Sequence, residues 1–399
     1  MVQQISPFSI ARLPRIVFGA GSLATLPGEI RAIGSRVLVV TGARSFAATP
    51  SWQALSRALR EQGVAFQHVP VEGEPSPDLV DDAVAAYGRS DIDVVVGIGG
   101  GSALDAAKAI AGMLRHSHSV VEHLEGLGVE RPYTGPAVPF IAVPTTAGTG
   151  SEATKNAVLS RRGPGGFKKS FRDEALVARV AVVDPELLAG CPAEIIAANG
   201  MDAFTQLLES FVSIKANPLT DALAWSGMSA FCDGFFAAWR GHGPEAAAGR
   251  GGVAYASLLS GICLAQTGLG SVHGLASPLG AFFPIPHGLC CGTLVAAATA
   301  VNIEALQARD PGGPALEKYA RVGGLLGGGA HAAREERLAA LVETLTAWTQ
   351  ELALPRLSAF AMTPDDVPAV VGESRGSSMK TNPIVLTDGE IEGIVRARL

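Results

Sequence analysis

The chain has no C-x-x-C pair, no basic run longer than two residues, and no apolar stretch of the about 20 residues that a bilayer-spanning helix needs. Each absence excludes a class. Five cysteines, Cys191, Cys232, Cys263, Cys290 and Cys291, are scattered and odd in number, so a disulfide framework is excluded and reduced, buried thiols are expected. The basic pairs Arg161-Arg162 and Lys168-Lys169 stand alone in a chain of net charge −6, which leaves no electrostatic footprint for nucleic acid. Stretches such as Leu289 to Val301 are too short and too rich in Gly and Ala to span a membrane. Met1 to Pro14 lacks a charged region followed by an apolar core, so no signal peptide is read and a cytoplasmic location is expected.

What is present is a globular composition: 48% apolar and 17% charged over 399 residues, enough for two domains with separate cores. Glycine is abundant, but it falls in specific turns and forms no low-complexity tract. From Arg15 to Val183, apolar runs alternate with helical patterns. Strands are expected at Arg15–Phe18, Arg36–Thr41, Val64–Val69, Asp93–Gly97, Phe140–Pro144, Ala157–Leu159 and Ala178–Val183. Helices are expected between several of them, and Arg161 to Lys169 reads as a polar excursion. Strand and helix at this spacing mean βαβ units and a parallel sheet. After Pro192 helical periodicity takes over, so the boundary is placed near residue 190, with an α/β domain at 1–190 and an all-α domain at 191–399.

Two turns at strand ends carry chemistry. Gly99, Gly100, Gly101 and Ser102 follow the strongest strand and open a helix, and glycines there let a backbone approach a ligand while the helix start favours an anion such as a pyrophosphate. The pattern is neither G-x-G-x-x-G nor a P-loop. Asp105, in what reads as the first turn, either bonds a cofactor hydroxyl or complements the helix dipole. Thr145-Thr146-Ala-Gly-Thr149 ends the next strand and makes a second polar lip, placed where a nucleotide binds an open α/β sheet.

The other concentration of chemistry is Ser271 to Gly288, S-V-H-G-L-A-S-P-L-G-A-F-F-P-I-P-H-G. The chain has eight histidines, and His273 and His287 stand here together. Imidazole is the commonest ligand for a divalent transition metal, but a site normally needs three protein ligands. Asp202 and Gln206, at i and i+4 of an expected helix, supply the remaining candidates on one face. Glu209 is expected to face solvent or a salt bridge. Phe211, Phe231, Phe235, Phe236 and Trp239 read as core, and Phe282, Phe283 and Ile285 as an apolar pocket wall.

Together the motifs resemble the iron-containing (group III) alcohol dehydrogenase family. The matching residues are Gly99-Gly-Gly-Ser102 with Asp105, Pro144-Thr-Thr-Ala-Gly-Thr149 with Glu152, Gly200-Met-Asp-Ala203, His273-Gly with Pro278-Leu-Gly280, Pro286-His-Gly288, and Asn382-Pro383 before Leu386-Thr387. The resemblance runs along almost the whole chain in the family's order. It implies a dehydroquinate synthase-like fold, an α/β dinucleotide-binding domain followed by an all-α domain, with NAD or NADP and, in typical members, a divalent metal (Fe or Zn) in the cleft between. It implies reversible hydride transfer between a small alcohol and an aldehyde, ketone or oxo-acid, and a homodimer or larger homo-oligomer. Maleylacetate reductase-like chemistry, a metal-independent reductase and a catalytically silent NAD(P)-binding sensor are the alternatives.

Carried over residue by residue, the resemblance puts Asp202, Gln206, His273 and His287 at the metal-ligand places. Gly99 to Ser102 and Asp105 fall on the pyrophosphate loop, Thr145, Thr146 and Thr149 on cofactor contacts, and Lys168 near the ribose. The chain departs from the family at three positions. Gln206 stands where typical members have histidine, and an amide oxygen is a weaker ligand than imidazole. Ser277 stands where many have a further histidine, and a hydroxyl relays a proton without storing one near neutral pH. Gly42 stands where typical members have an aspartate that repels a 2′-phosphate; its absence makes NADP acceptable, with Arg44 as a phosphate partner.

Overall fold

The computed structural model describes residues 6–43, 46–161 and 166–399. Arg44 therefore lies outside the described residues. The chain divides into two compact units, Ala11–Cys191 and Pro192–Leu399, with residues 6–10 counted in the second.

The first unit is built on a six-stranded parallel sheet. In chain order its elements are β1 (Arg15–Phe18), α1 (Leu26–Arg31), β2 (Arg36–Gly42), α2 (Pro50–Glu61), β3 (Ala65–Val71), α3 (Pro77–Tyr87), β4 (Val94–Gly99), α4 (Gly101–Met113), β5 (Phe140–Pro144), β6 (Asn156–Arg161), β7 (Phe167–Arg172) and β8 (Val180–Val183). The strand order is β1-β8-β5-β4-β2-β3. Val37, Val39, Val94 and Val96 pack into one core with Leu26, Ile30, Leu55 and Leu59, while Leu38, Val40 and Val95 pack into another with Val80, Leu104 and Ile110. Burial on both faces is why β2 and β4 read as unbroken apolar runs. The chain leaves β2 toward β3 and returns to place β4 on the other side of β2. That reversal is a topological switch point, and ligands bind open α/β sheets beyond the strand ends at such points. The ends of β2 and β4 are Gly42 and Gly99.

The expected polar excursion at Arg161 to Lys169 is only partly that. Phe167–Arg172 forms β7, antiparallel to β6 in a separate two-stranded sheet. Phe167 and Phe171, four residues apart, are buried, while the charged residues between them hide the strand from a reading of apolar runs.

The second unit is helical: α5 (Ala193–Val212), α6 (Pro218–Arg240), α7 (Pro244–Thr267), α8 (Ser271–Phe282), α9 (His287–Arg309), α10 (Pro314–Gly323), α11 (Arg334–Glu351), α12 (Val367–Glu373) and α13 (Asp388–Ala397). Phe204, Phe231, Phe235 and Trp348 form its aromatic centre, with the Phe231 and Phe235 rings stacked at 4.3 Å. Phe211 is buried as expected, whereas Phe236 and Trp239 are only half-buried. The Gly- and Pro-rich histidine segment is itself helical, because α8 continues through Pro278. The apolar run after His287 extends to Arg309. This helix is long and apolar enough to cross a membrane, but 72% of its apolar window is buried inside the protein.

Candidate metal centre and dinucleotide site

Three helices of the second unit converge on one group of donor atoms. α5 carries Asp202, Gln206 and Glu209, all buried. α8 carries His273 in its first turn, and α9 begins at His287 and carries Cys291 one turn later. Single ligand atoms of Asp202, His273, His287 and Cys291 all lie within 4.8 Å of one another, the only such group of three or more among the described residues. His273 Nε2 is 3.2 Å and His287 Nε2 3.8 Å from Asp202 Oδ1, and the Cys291 sulfur is 3.5 Å and 3.8 Å from the two imidazole nitrogens.

Close approach of helices makes this possible. A Cβ on Gly288 would stand 2.6 Å from the Ala198 carbonyl oxygen, so α9 begins against the α5 backbone. α8 is anchored by side chains from elsewhere: Ser271 N–H donates to Asn382 Oδ1 at 3.0 Å, and Val272 N–H to Glu209 Oε1 at 2.7 Å. These satisfy two N–H groups that a helix start leaves without intrahelical partners. Asn382, part of the Asn382-Pro383 motif, thus helps to place His273.

Of the two expectations for Glu209, solvent or a salt bridge, the structure shows the second, in the form of a buried ion pair. It is buried, and its Oε2 lies 2.7 Å from His273 Nδ1. With the Nδ1 proton donated to Glu209, the Nε2 lone pair points at the Asp202 carboxylate. Two lone pairs cannot face each other at 3.2 Å without a cation between them. A proton or a metal ion serves. Burial lowers the affinity of His273 for a proton, but Cys291, Asp202 and Glu209 outweigh it and hold its pKa well above the ordinary value. Burial likewise opposes the Asp202 charge, yet His287, His273 and a hydrogen bond from Gln206 bring its pKa down to about 2. Burial pushes the Cys291 thiol up to about 12. Asp202 Oδ2 is buried with no hydrogen-bond partner. A buried carboxylate whose Oδ1 faces two imidazoles and whose Oδ2 has no hydrogen-bond partner, with a sulfur nearby, fits a divalent transition ion.

Gln206, the remaining sequence candidate, sits behind Asp202. Its Oε1 accepts from Ser260 Oγ at 3.2 Å, and it hydrogen-bonds the Asp202 carboxylate. Ser277, one turn past His273, is exposed; Phe282 is exposed, Phe283 half-buried and Ile285 buried. Sequence reasoning passed over Cys291 as an ordinary buried thiol; its signal was the i,i+4 spacing from His287. All five cysteines are free.

In the first unit, Gly42 and Gly99 meet at the switch point, where a Cβ on Gly99 would be 3.4 Å from the Gly42 nitrogen. α4 starts at Gly101 with no acidic side chain in its first turn, which favours an anion there. This start places Asp105 in the second turn, so it does not complement the dipole. Its carboxylate accepts from Ser151 Oγ at 2.5 Å and from Val158 N–H at 3.1 Å, tying α4 to the turn after β5. The two lips touch: a Cβ on Gly100 would meet Thr146 Oγ1 at 3.1 Å, and one on Gly101 would meet Thr149 at 2.8 Å. Thr145 N–H donates to the Gly99 carbonyl at 2.9 Å. Beneath them the buried Lys108 ammonium, missed by sequence reasoning, donates to Ser151 O and Oγ, Thr154 Oγ1 and Asn156 O. Lys168 is paired with Glu74 at 2.6 Å, so reaching a ribose requires breaking that pair.

The family described as iron-containing alcohol dehydrogenase matches residues 14–185, and the C-terminal part of the same family matches residues 196–399. Alcohol dehydrogenase 4 of Schizosaccharomyces pombe is 29% identical over 398 residues, covering 98% of this chain and 90% of that protein. NAD-dependent methanol dehydrogenase of Bacillus methanolicus is 30% identical over 316 residues, covering 79% of this chain and 78% of that protein. The crystal structure of a 1,3-propanediol oxidoreductase superposes with a TM-score of 0.88 at 28% identity, covering 99% of this chain and 100% of that one.

Proposed function

The chain belongs to the iron-containing alcohol dehydrogenase family and is an oxidoreductase acting on alcohols or aldehydes, and from that premise we propose an NAD(P)-dependent, metal-assisted interconversion of a small alcohol with its aldehyde or ketone. The observation that carries this reading is the buried cluster in which Asp202 Oδ1 faces both His273 and His287 while its Oδ2 has no hydrogen-bond partner. When bound, a nicotinamide would exchange the hydride, and a divalent ion held by Asp202, His273 and His287 would polarise the substrate oxygen.

The protein's own residues do the rest. Asp202 supplies the fixed negative charge of the centre, and His273, held by Glu209, directs Nε2 into it. Gly99, Gly100, Gly101 and Ser102 bring backbone N–H groups to the pyrophosphate, with Thr145, Thr146 and Thr149 lining the same turn. Gly42 leaves room for a ribose or its 2′-phosphate, and Lys168 exchanges Glu74 for the ribose. Ser277, exposed one turn beyond His273, passes the substrate hydroxyl proton toward water.

The test is turnover, followed at the nicotinamide absorbance, with NADH and NADPH against short aldehydes and oxo-acids, before and after metal removal. We expect turnover with at least one aldehyde, loss on chelation and recovery on adding zinc or iron(II). Full turnover in the stripped protein would exclude the metal-assisted step.

A further inference from the structure

The metal reading above uses Asp202, His273 and His287 and leaves the fourth member of the cluster without a role. Cys291 is wholly buried, and its sulfur hydrogen-bonds the Nε2 atoms of both histidines, at 3.5 Å and 3.8 Å. An ion with bonds of about 2.0–2.1 Å to nitrogen or oxygen and about 2.3 Å to sulfur, in tetrahedral geometry, has donor-to-donor edges of about 3.3–3.6 Å. Four of the six separations in this cluster, 3.2, 3.5, 3.8 and 3.8 Å, lie close to those edges before any ion draws the donors together, and all six are within 4.8 Å.

Helix geometry places the sulfur there. Cys291 follows His287 by four residues, so both side chains leave the same face of α9. Gly288 and Gly292 let that face close on α5: a Cβ at either position would meet Ala198 O at 2.6 Å or Met201 Cβ at 2.9 Å. Gln206 is occupied differently. Its carbonyl oxygen, the only atom of the amide suited to a metal, lies 3.2 Å from Ser260 Oγ, and its hydrogen bond to the Asp202 carboxylate makes it a positioning residue.

We propose that Cys291 coordinates the divalent ion as a thiolate, in place of an oxygen from Gln206, so that the centre is Asp202, His273, His287 and Cys291 and selects a thiophilic ion, zinc or cobalt(II), over magnesium or manganese. The thiol proton passes to solvent as the ion binds. A thiolate ligand shifts preference toward zinc and similar ions, whereas an all-oxygen and nitrogen set tolerates harder ones. The inference rests on the metal reading of the same cluster, and its test separates the two.

The full-length protein is stripped of metal and titrated with cobalt(II), followed by absorption, and zinc-loaded protein is measured by X-ray absorption. The expected result is ligand-field bands together with an intense near-ultraviolet sulfur-to-cobalt band, and a zinc–sulfur distance of about 2.3 Å. Cys291→Ser should keep the ligand-field bands, lose the sulfur band and bind zinc at least about tenfold more weakly. Wild-type protein that binds cobalt with ligand-field bands but no sulfur band, and zinc with only nitrogen and oxygen neighbours, overturns the thiolate while leaving the metal centre standing. Protein that takes up no ion overturns both.

Discussion

At the scale of the residue, the centre depends on buried carboxylates whose partners are not their sequence neighbours. Glu209 lies on the same helix as Asp202 but serves His273 on another, so it acts through an imidazole. Glu209→Gln should weaken zinc binding by roughly 10–100-fold, read by competition with a chromophoric chelator, and leave NADH binding unchanged. In the first unit, burial raises the Glu152 pKa from 4.5 to about 7. A carboxyl whose pKa is higher folded than unfolded stabilises the fold fully below the unfolded pKa and loses that contribution as pH rises through the folded one. Unfolding free energy should therefore fall by on the order of 1–3 kcal/mol from this group between pH 4.5 and 8. Urea titrations at the two pH values should show the loss in wild type and its absence in Glu152→Gln. Asp202, His273 and His287 were legible in the sequence because histidine is scarce in the chain and a family register links them. Glu209 and Cys291 were not, because a buried carboxylate and a buried thiol take their meaning from what lies across the helix interface.

At the scale of the element, two glycine contacts decide whether the sites assemble. Gly288 allows α9 to begin 2.6 Å, measured from its absent Cβ, from a carbonyl oxygen that cannot move without α5. Gly288→Ala should cost about 1–3 kcal/mol in stability by overpacking and should also weaken zinc binding, since it pushes His287 and Cys291 away from Asp202. Thermal unfolding with and without zinc checks both effects. A Cβ on Gly101 would meet the Thr149 side chain instead, 2.8 Å from its Cγ2. Gly101→Ala should weaken NADH binding by roughly tenfold, about 1.4 kcal/mol, in a fluorescence titration. Strands β2 and β4 were readable as apolar runs because both their faces are buried. β7 was not, because only Phe167 and Phe171 of its residues carry the buried face.

At the scale of the whole molecule, the turns proposed for the dinucleotide lie wholly within Ala11–Cys191 and the proposed metal donors wholly within Pro192–Leu399. Stripping the metal should therefore abolish turnover while leaving the NADH dissociation constant within about twofold, a change below ~0.5 kcal/mol. A large loss of NADH affinity on chelation would contradict this separation. Order along the chain was enough to read a parallel α/β unit followed by helices, because periodicity and glycine-bearing strand ends are local properties. It was also enough to place Asp202, His273 and His287 in one family's register. Which side chains complete the proposed centre was decided only by the packing of α5, α8 and α9. Packing turned Gln206 toward Ser260 and Asp202, buried Glu209 behind His273 and brought the Cys291 sulfur to the imidazoles. Donor geometry depends on distances of a few tenths of an ångström between helices, and no spacing along a sequence encodes them.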